Sequence, residues 1–380
     1  MSVIDRGQYF TSLPQSYYIS EAQFALDVDR VWRRQWLYAG HVSQVQSPGD
    51  FFTFNFLDDS LIIVRTQSGE VRAFYNTCRH RGMRLCEGPG HARRIVCPYH
   101  SWTYSLEGQL LTASRQQGEL TIDYSDLGLV PVQVSVWQGL IFVTFSPDPL
   151  REVEAMVGPE GTAEMARLEP EKMKVIHEAV YRTAANWKLL LENGVECYHC
   201  TTVHPEFCQV LDPAGMTGYY SADYIPELVQ ELVLPIQYGK DTLSLDGNLV
   251  SKKLLGEFGR GKPIAPDYSG TGFMTQPGYS WGDFHPDHAM IANCYPVGPL
   301  QSDFVVSWLV HEDAVEGVDY EVDKVIALWD ITHRQDAETL ERQQRGILSS
   351  VYTPGPDSAT AEPGIKVALD LYLNMLGEVE

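Results

Sequence analysis

Residues 75–82 read Tyr75-Asn76-Thr77-Cys78-Arg79-His80-Arg81-Gly82, and residues 96–104 read Val96-Cys97-Pro98-Tyr99-His100-Ser101-Trp102-Thr103-Tyr104. Each stretch brings one cysteine and one histidine to a loop tip, first as C-x-H and then as C-x-x-H, with sixteen residues between His80 and Cys97. Two such tips facing each other supply two sulfurs and two nitrogens. The surrounding sequence has the grammar of short strands. Phe51, Thr53 and Asn55 alternate with Phe52, Phe54 and Phe56; Leu61 to Val64 run apolar; Ser68-Gly69-Glu70 turns the chain into Val71–Tyr75. The same pattern returns at Trp102–Leu111 around Glu107-Gly108 and at Val132–Phe145 around Gln138-Gly139. The loops therefore sit on a small all-β domain, residues 40–150.

That ligand set suits two metals. Zinc accepts two thiolates and two imidazoles tetrahedrally. A Rieske [2Fe–2S] centre puts both thiolates on one iron and both neutral imidazoles on the other, which makes the cluster easier to reduce. Zinc pairs usually take the form C-x₂-C, so the one-residue spacing of Cys78 and His80 points to the cluster. Zinc, or four unrelated core and surface residues, are the alternatives.

A chain of 380 residues with 44% apolar content has room for two or three domain-sized units. No stretch approaches the apolar length of a membrane span, and residues 1–30 lack the basic start and apolar run of a secretory signal. A cytoplasmic protein with no membrane partner is expected. The net charge of −22 argues against nucleic acid. It suits a cationic substrate or a basic redox partner, although a solvated acidic surface accounts for most of it. Of seven cysteines, two go to the cluster; the odd remainder has no framework spacing, so reduced thiols are expected.

Outside the β domain, Ser20 and Gln23 have capping-box spacing before a helix running to about residue 37, with Ile19 and Phe24 as a hydrophobic staple. Residues 147–155 read as a linker, and 156–185 as helical and then extended. A helix follows from Asn186 to about Cys200. Glu192, Glu196 and His199 share one of its stripes, and His204, held out of helix by Pro205, lies just past its end. Residues 213–280 are rich in Gly, Pro and Tyr, with little periodicity, and part of them reads as a lid over a pocket. Strand-like runs return over 288–311, then a long helix over 319–347. Asp336 falls on that helix's apolar stripe with Trp329 and Leu340, where a carboxylate is costly unless paired or metal-bound. Two histidines and one carboxylate make the facial triad of a non-haem Fe(II) site. Taken singly, a hydrogen-bonded core histidine, or Asp336 paired with Arg334 or Arg342, would explain each residue.

The two motifs together resemble the catalytic α subunit of Rieske non-haem iron oxygenases over nearly the whole chain. Glu192-Asn193-Gly194-Val195-Glu196-Cys197-Tyr198-His199 through His204-Pro205 resembles that family's iron-binding helix, and Gln335-Asp336 through Ile347 its carboxylate helix. Glu196 and the run Trp308 to Tyr320 look most like the branch acting on glycine betaine and carnitine. The resemblance implies an α+β protein: a small all-β Rieske domain (40–150) before a helix-grip catalytic domain of antiparallel sheet plus helices (151–380), with residues 1–39 packing on the latter. It implies a [2Fe–2S] cluster on Cys78, His80, Cys97 and His100, mononuclear Fe(II) on His199, His204 and Asp336, and dioxygen as cosubstrate. It further implies a homotrimer in which Glu196 bridges one subunit's cluster and its neighbour's iron, fed from NAD(P)H by a flavin or ferredoxin-type reductase. The expected reaction is monooxygenation, hydroxylating or N-demethylating a small quaternary ammonium compound. One departure is Gly194, where members that bind a trimethylammonium head tend to carry an aromatic residue. Tyr198, Phe207, Tyr279, Trp281 and Tyr295 are candidate walls in its place. An uncharged substrate, hydroxylated on a ring or O-demethylated, and a Rieske electron carrier without oxygenase activity are the alternatives.

Overall fold

The alternation read from residues 50–75 becomes an antiparallel sheet in the computed structural model. It describes residues 9–113, 123–150, 152–213, 231–275 and 279–377, with backbone alone at 156–161 and 231–233. Two units result, one of residues 35–150 and one of residues 1–34 with 151–380.

In the smaller unit seven strands run in the order 37–41, 140–144, 131–137, 71–75, 59–65, 50–56 and 90–91. Gln138 and Gly139 both take positive φ, +48° and +82°, as a two-residue hairpin turn requires. A three-stranded sheet, 95–96, 102–104 and 110–113, carries the second Cys/His tip. Ile62, Val64, Phe74, Trp102, Tyr104 and Leu110 form the core beneath both tips.

The larger unit is built on a six-stranded antiparallel sheet in the order 173–183, 301–311, 289–298, 280–284, 269–274 and 231–235. The long helix Val322–Ile347 lays Val325, Leu328 and Trp329 against Met290, Ala292, Val306 and Trp308 of the sheet. This is the expected α+β, helix-grip arrangement. It corrects the reading of 213–280 as one long loop: Glu231–Pro235, Ser269–Met274 and the start of Ser280–Phe284 are sheet strands, and in the last two small residues let the backbones pair closely. A Cβ on Gly272 would stand 1.9 Å from the Gly282 carbonyl. Residues 214–230 and 276–278 of that stretch lie outside the described residues.

The N-terminal helix is shorter than expected, Glu21–Arg30, followed by a 3₁₀ turn at Trp32–Arg34; Leu37–His41 is strand. Ser20 caps it by accepting from the Gln23 N–H at 3.3 Å. The Gln23 side chain does not return the bond but donates to Asp27 and to Tyr372 Oη, each at 3.1 Å, so the capping box is half formed. Asp27 is fully buried and binds the Lys188 ammonium, Trp187 Nε1 and Tyr372 Oη. That network ties this helix to the helices Trp187–Gly194 and Pro363–Leu376. Among the described residues no helix is long and apolar enough to cross a membrane.

Candidate metal centres

In the smaller unit two tight turns form the tips. The Cys78 carbonyl accepts from Gly82 N–H at 3.0 Å, and the Cys97 carbonyl from Ser101 N–H at 3.0 Å. Both thiols are buried and both imidazoles half-buried. His80 and His100 bring their Nδ1 atoms to 3.2 Å, and His80 stacks on Trp102 at 4.9 Å between centroids with 9° between planes. The Tyr104 hydroxyl lies 3.3 Å from Cys78 Sγ and accepts from Arg79 N–H at 3.0 Å. Burial pushes the Cys78 thiol's pKa up, and the Tyr104 hydrogen bond works against that rise. Two inward sulfurs and two converging ring nitrogens nearer solvent fit a [2Fe–2S] centre with chemically distinct ends.

In the larger unit the expected helix from Asn186 to Cys200 is corrected to two pieces, Trp187–Gly194 and Cys200–Val203. The break has a local cause. The Glu196 carboxylate reaches forward to accept from the backbone N–H groups of Tyr198 and His199 (3.2 Å to the latter), competing with helix continuation as a capping residue does. Glu192 stays on the helix and accepts from Tyr18 Oη at 2.7 Å, away from the stripe it was expected to share. Cys197 and Cys200 form a disulfide across this turn, their Cα atoms 5.0 Å apart, which corrects the expectation of reduced thiols at these two positions. Cys78, Cys86, Cys97, Cys208 and Cys294 are free.

The turn brings His199 and His204 to Asp336 on the long helix. The three residues place ligand atoms within 4.8 Å of one another. His204 Nε2 is 2.9 Å and His199 Nε2 3.6 Å from Asp336 Oδ1. The outer nitrogen of each ring has its own partner: His199 Nδ1 meets the Glu196 carboxylate, and His204 Nδ1 lies 2.8 Å from Gln335 Oε1. Gln335 is held in turn through Nε2 to Glu206 at 2.9 Å. Such partners fix the tautomer and turn the inner nitrogen toward a metal. Burial alone would raise the Asp336 pKa, but the His204 hydrogen bond and the charges of both histidines hold it low. The arginines that could have claimed Asp336 are engaged elsewhere, Arg334 with Asp330 and Arg342 with Glu338. An anionic carboxylate with two oriented imidazoles fits Fe(II) with open positions.

A cavity borders the triad, lined by Gly194, Phe207, Trp281, Phe304, Trp329 and His333 among others. Phe207 and Trp281 of the proposed walls are therefore placed there, with Gly194 beside them. The other three are corrected. Tyr198 is 65% exposed at the turn. Tyr295 faces away, because strand parity puts it opposite Met290 and Ala292, with its ring against Trp32. Tyr279 also packs on Trp32, 4.9 Å between centroids. Asn193, Gln335 and Asp283 were missed. Asn193 Nδ2 reaches His199 Nε2 at 3.1 Å and Asp336 Oδ1 at 3.2 Å; its signal was its place between Glu192 and Glu196. Asp283 shares strand parity with Trp281, a signal that needs the strand Ser280–Phe284, which the sequence pattern leaves unassigned.

Residues 35–126 match the Rieske [2Fe-2S] domain family, and residues 170–378 match the ring hydroxylating alpha subunit (catalytic domain) family. The glycine betaine monooxygenase oxygenase subunit of Pseudomonas aeruginosa (strain UCBPP-PA14) is 36% identical over 97% of this chain and 90% of the relative. The chloroplastic choline monooxygenase of Spinacia oleracea is 26% identical over 93% of this chain and 75% of the relative. The quaternary ammonium Rieske monooxygenase CntA, solved with an inhibitor, superposes with a TM-score of 0.76 at 21% identity, covering 98% of this chain and 97% of that one. The chain belongs to the ring-hydroxylating oxygenase α subunits, enzymes with a Rieske cluster in one domain and mononuclear iron in the other.

Proposed function

We propose that this oxygenase component hydroxylates or N-demethylates a small quaternary ammonium compound, with His199, His204 and Asp336 as iron ligands and Cys78, His80, Cys97 and His100 as cluster ligands. The observation that carries the reading is the cavity beside the triad, walled by the aromatic faces of Phe207, Trp281, Phe304 and Trp329. Such faces attract a cation that has shed its water. The relatives named for glycine betaine and choline point to the same substrate class. Gly194 does not count against it. A Cβ there would lie 3.4 Å from the Trp281 ring, so an aromatic residue from the sheet already stands where the helix lacks one.

Iron bound at the triad supplies dioxygen activation, using electrons passed singly from the cluster. The residues around it do the positioning. Glu196 and Gln335 hold the two rings by their outer nitrogens. Asn193 donates toward Asp336 and steadies its carboxylate. The aromatic walls exclude water and turn an N-methyl group toward the triad. A hydroxylated N-methyl breaks down to formaldehyde and the demethylated amine. The reading also makes the protein a homotrimer, with Glu196 carrying charge between the His100 end of one subunit's cluster and His199 of the next, and a separate reductase as electron source.

Formaldehyde release assayed over quaternary amines and methoxyarenes, with a reductase supplied, tests the substrate class. Release from at least one quaternary amine is expected. Turnover confined to the methoxyarenes would replace this reading with O-demethylation.

A further inference from the structure

Among the described residues that line the cavity, Asp283 is the one whose carboxylate has no partner in the fold. It lies on the strand Ser280–Phe284 with both oxygens fully buried and without a hydrogen-bond partner. Its cross-strand neighbours explain why. The register sets Met290 on one side and Gly272 on the other, so neither flank offers a side-chain donor. Trp281, two residues earlier, shares its face and also lines the cavity. Burial pushes the Asp283 pKa well above the usual carboxylate range, a cost that an approaching cation would relieve.

The rest of the lining is informative by sign. Among the described lining residues Glu196, Asp283 and Asp336 are acidic and none is lysine or arginine. The other unpaired polar atoms in the lining are His333 Nε2 and Trp329 Nε1, which suit a hydroxyl and offer no full positive charge to a carboxylate.

We propose that Asp283 is the counter-ion for the substrate's positive nitrogen, and that the cavity selects a net cation, an N-methylated amine or amino alcohol without a carboxylate, over a zwitterion. The inference rests on the ammonium reading above and narrows it.

The test is calorimetric binding to the iron-loaded protein, without dioxygen or reductant. The probes are choline, glycine betaine and 3,3-dimethylbutan-1-ol, the uncharged carbon counterpart of choline. Choline is expected to bind roughly 30-fold or more tightly than either of the others, as a desolvated charge pair would give. In Asp283→Asn choline should lose about that factor while the uncharged probe is unchanged. Asp283→Glu should keep choline's advantage over the uncharged probe; the cluster's visible spectrum and the iron content check the fold of both variants. Unaltered choline affinity in Asp283→Asn, tighter binding of glycine betaine than choline by the wild type, or equal loss in the Asn and Glu variants would each overturn the inference and leave the ammonium reading standing. Equal wild-type affinity for choline and the uncharged probe would overturn both.

Discussion

His80 and His100 are oriented by rings: they touch each other, and His80 stacks on Trp102. His199 and His204 are oriented by a carboxylate and an amide, Glu196 and Gln335. The contrast extends through the two units. Among the described residues every buried Asp, Glu and Lys (Asp27, Lys188, Glu192, Asp283 and Asp287) lies in the larger unit, while the smaller one buries only neutral polar side chains and His41. A one-electron carrier needs a fixed potential, and neutral donors to sulfur tune that without coupling it to protons. A site that must hold a cation and open positions needs fixed charge, and fixed charge makes it sensitive to pH and to the loss of single partners.

The sharpest break between the two is Asp336→Ala. It removes the carboxylate proposed as the anionic iron ligand of the larger unit. Oxygenation should fall below detection, with bound iron reduced to the cluster's share and the cluster's visible spectrum intact. Retained activity would mean that the three converging side chains are not the iron site.

Next in size is the pH response. Burial lifts the Glu192 carboxyl to about 8, against the opposing hydrogen bond from Tyr18. A glutamate in the unfolded chain titrates near 4.3. The folded protein therefore binds the extra proton between these values, and stability is lost as pH rises through that window. The full span is worth up to about 5 kcal/mol at 1.36 kcal/mol per pH unit. Glu192→Gln keeps an acceptor for Tyr18 and removes the titration, so thermal unfolding followed from pH 5 to 8 should lose most of its downward slope. An unchanged slope would assign it to other groups.

Smaller again is Gln335→Leu, which leaves His204 Nδ1 without its acceptor and frees Glu206. Loss of such an outer partner typically costs about 10- to 100-fold in metal affinity, measurable by iron competition with a chelator. An equal effect on the cluster would show that the two sites are not independently supported.

The same contrast explains what could be read before the structure. Cys78, His80, Cys97 and His100 fall within two short loops on hairpins whose alternation is plain, so spacing alone nearly fixed their meeting. His199, His204 and Asp336 are nameable from the sequence, but the geometry that joins them is not: the helix reads through to Cys200, because nothing in the periodicity shows Glu196 accepting from the backbone N–H groups of Tyr198 and His199 that follow it. The strands at 231–235, 269–274 and 280–284 were missed for a related reason. In the last two, glycines remove the apolar alternation that marks a strand, while serving the close pairing of Gly272 with Gly282. Asp283 follows from strand parity, which is visible only once the strand Ser280–Phe284 is recognised; Tyr295 lies on a strand already expected, and its side follows from its parity against Met290 and Ala292.

The finest test lies in the smaller unit. Tyr104 is fully buried, and its hydroxyl reaches Cys78 Sγ and the Arg79 N–H. Burial pushes its own pKa up, beyond the physiological range, so it remains a neutral donor. A hydrogen bond to a cluster sulfur draws off negative charge and favours the reduced state. Tyr104→Phe removes that bond while keeping the ring in the core with Cys78, Cys97 and Trp102. A net hydrogen bond is worth about 0.5–1.5 kcal/mol, so the cluster's reduction potential should fall by roughly 20–65 mV for one electron. The fall should be the same at pH 6 and pH 8, because no group beside Tyr104 exchanges a proton with the bond. A shift that grew with pH would place an ionisable partner beside the cluster and remove the distinction between the two histidine pairs.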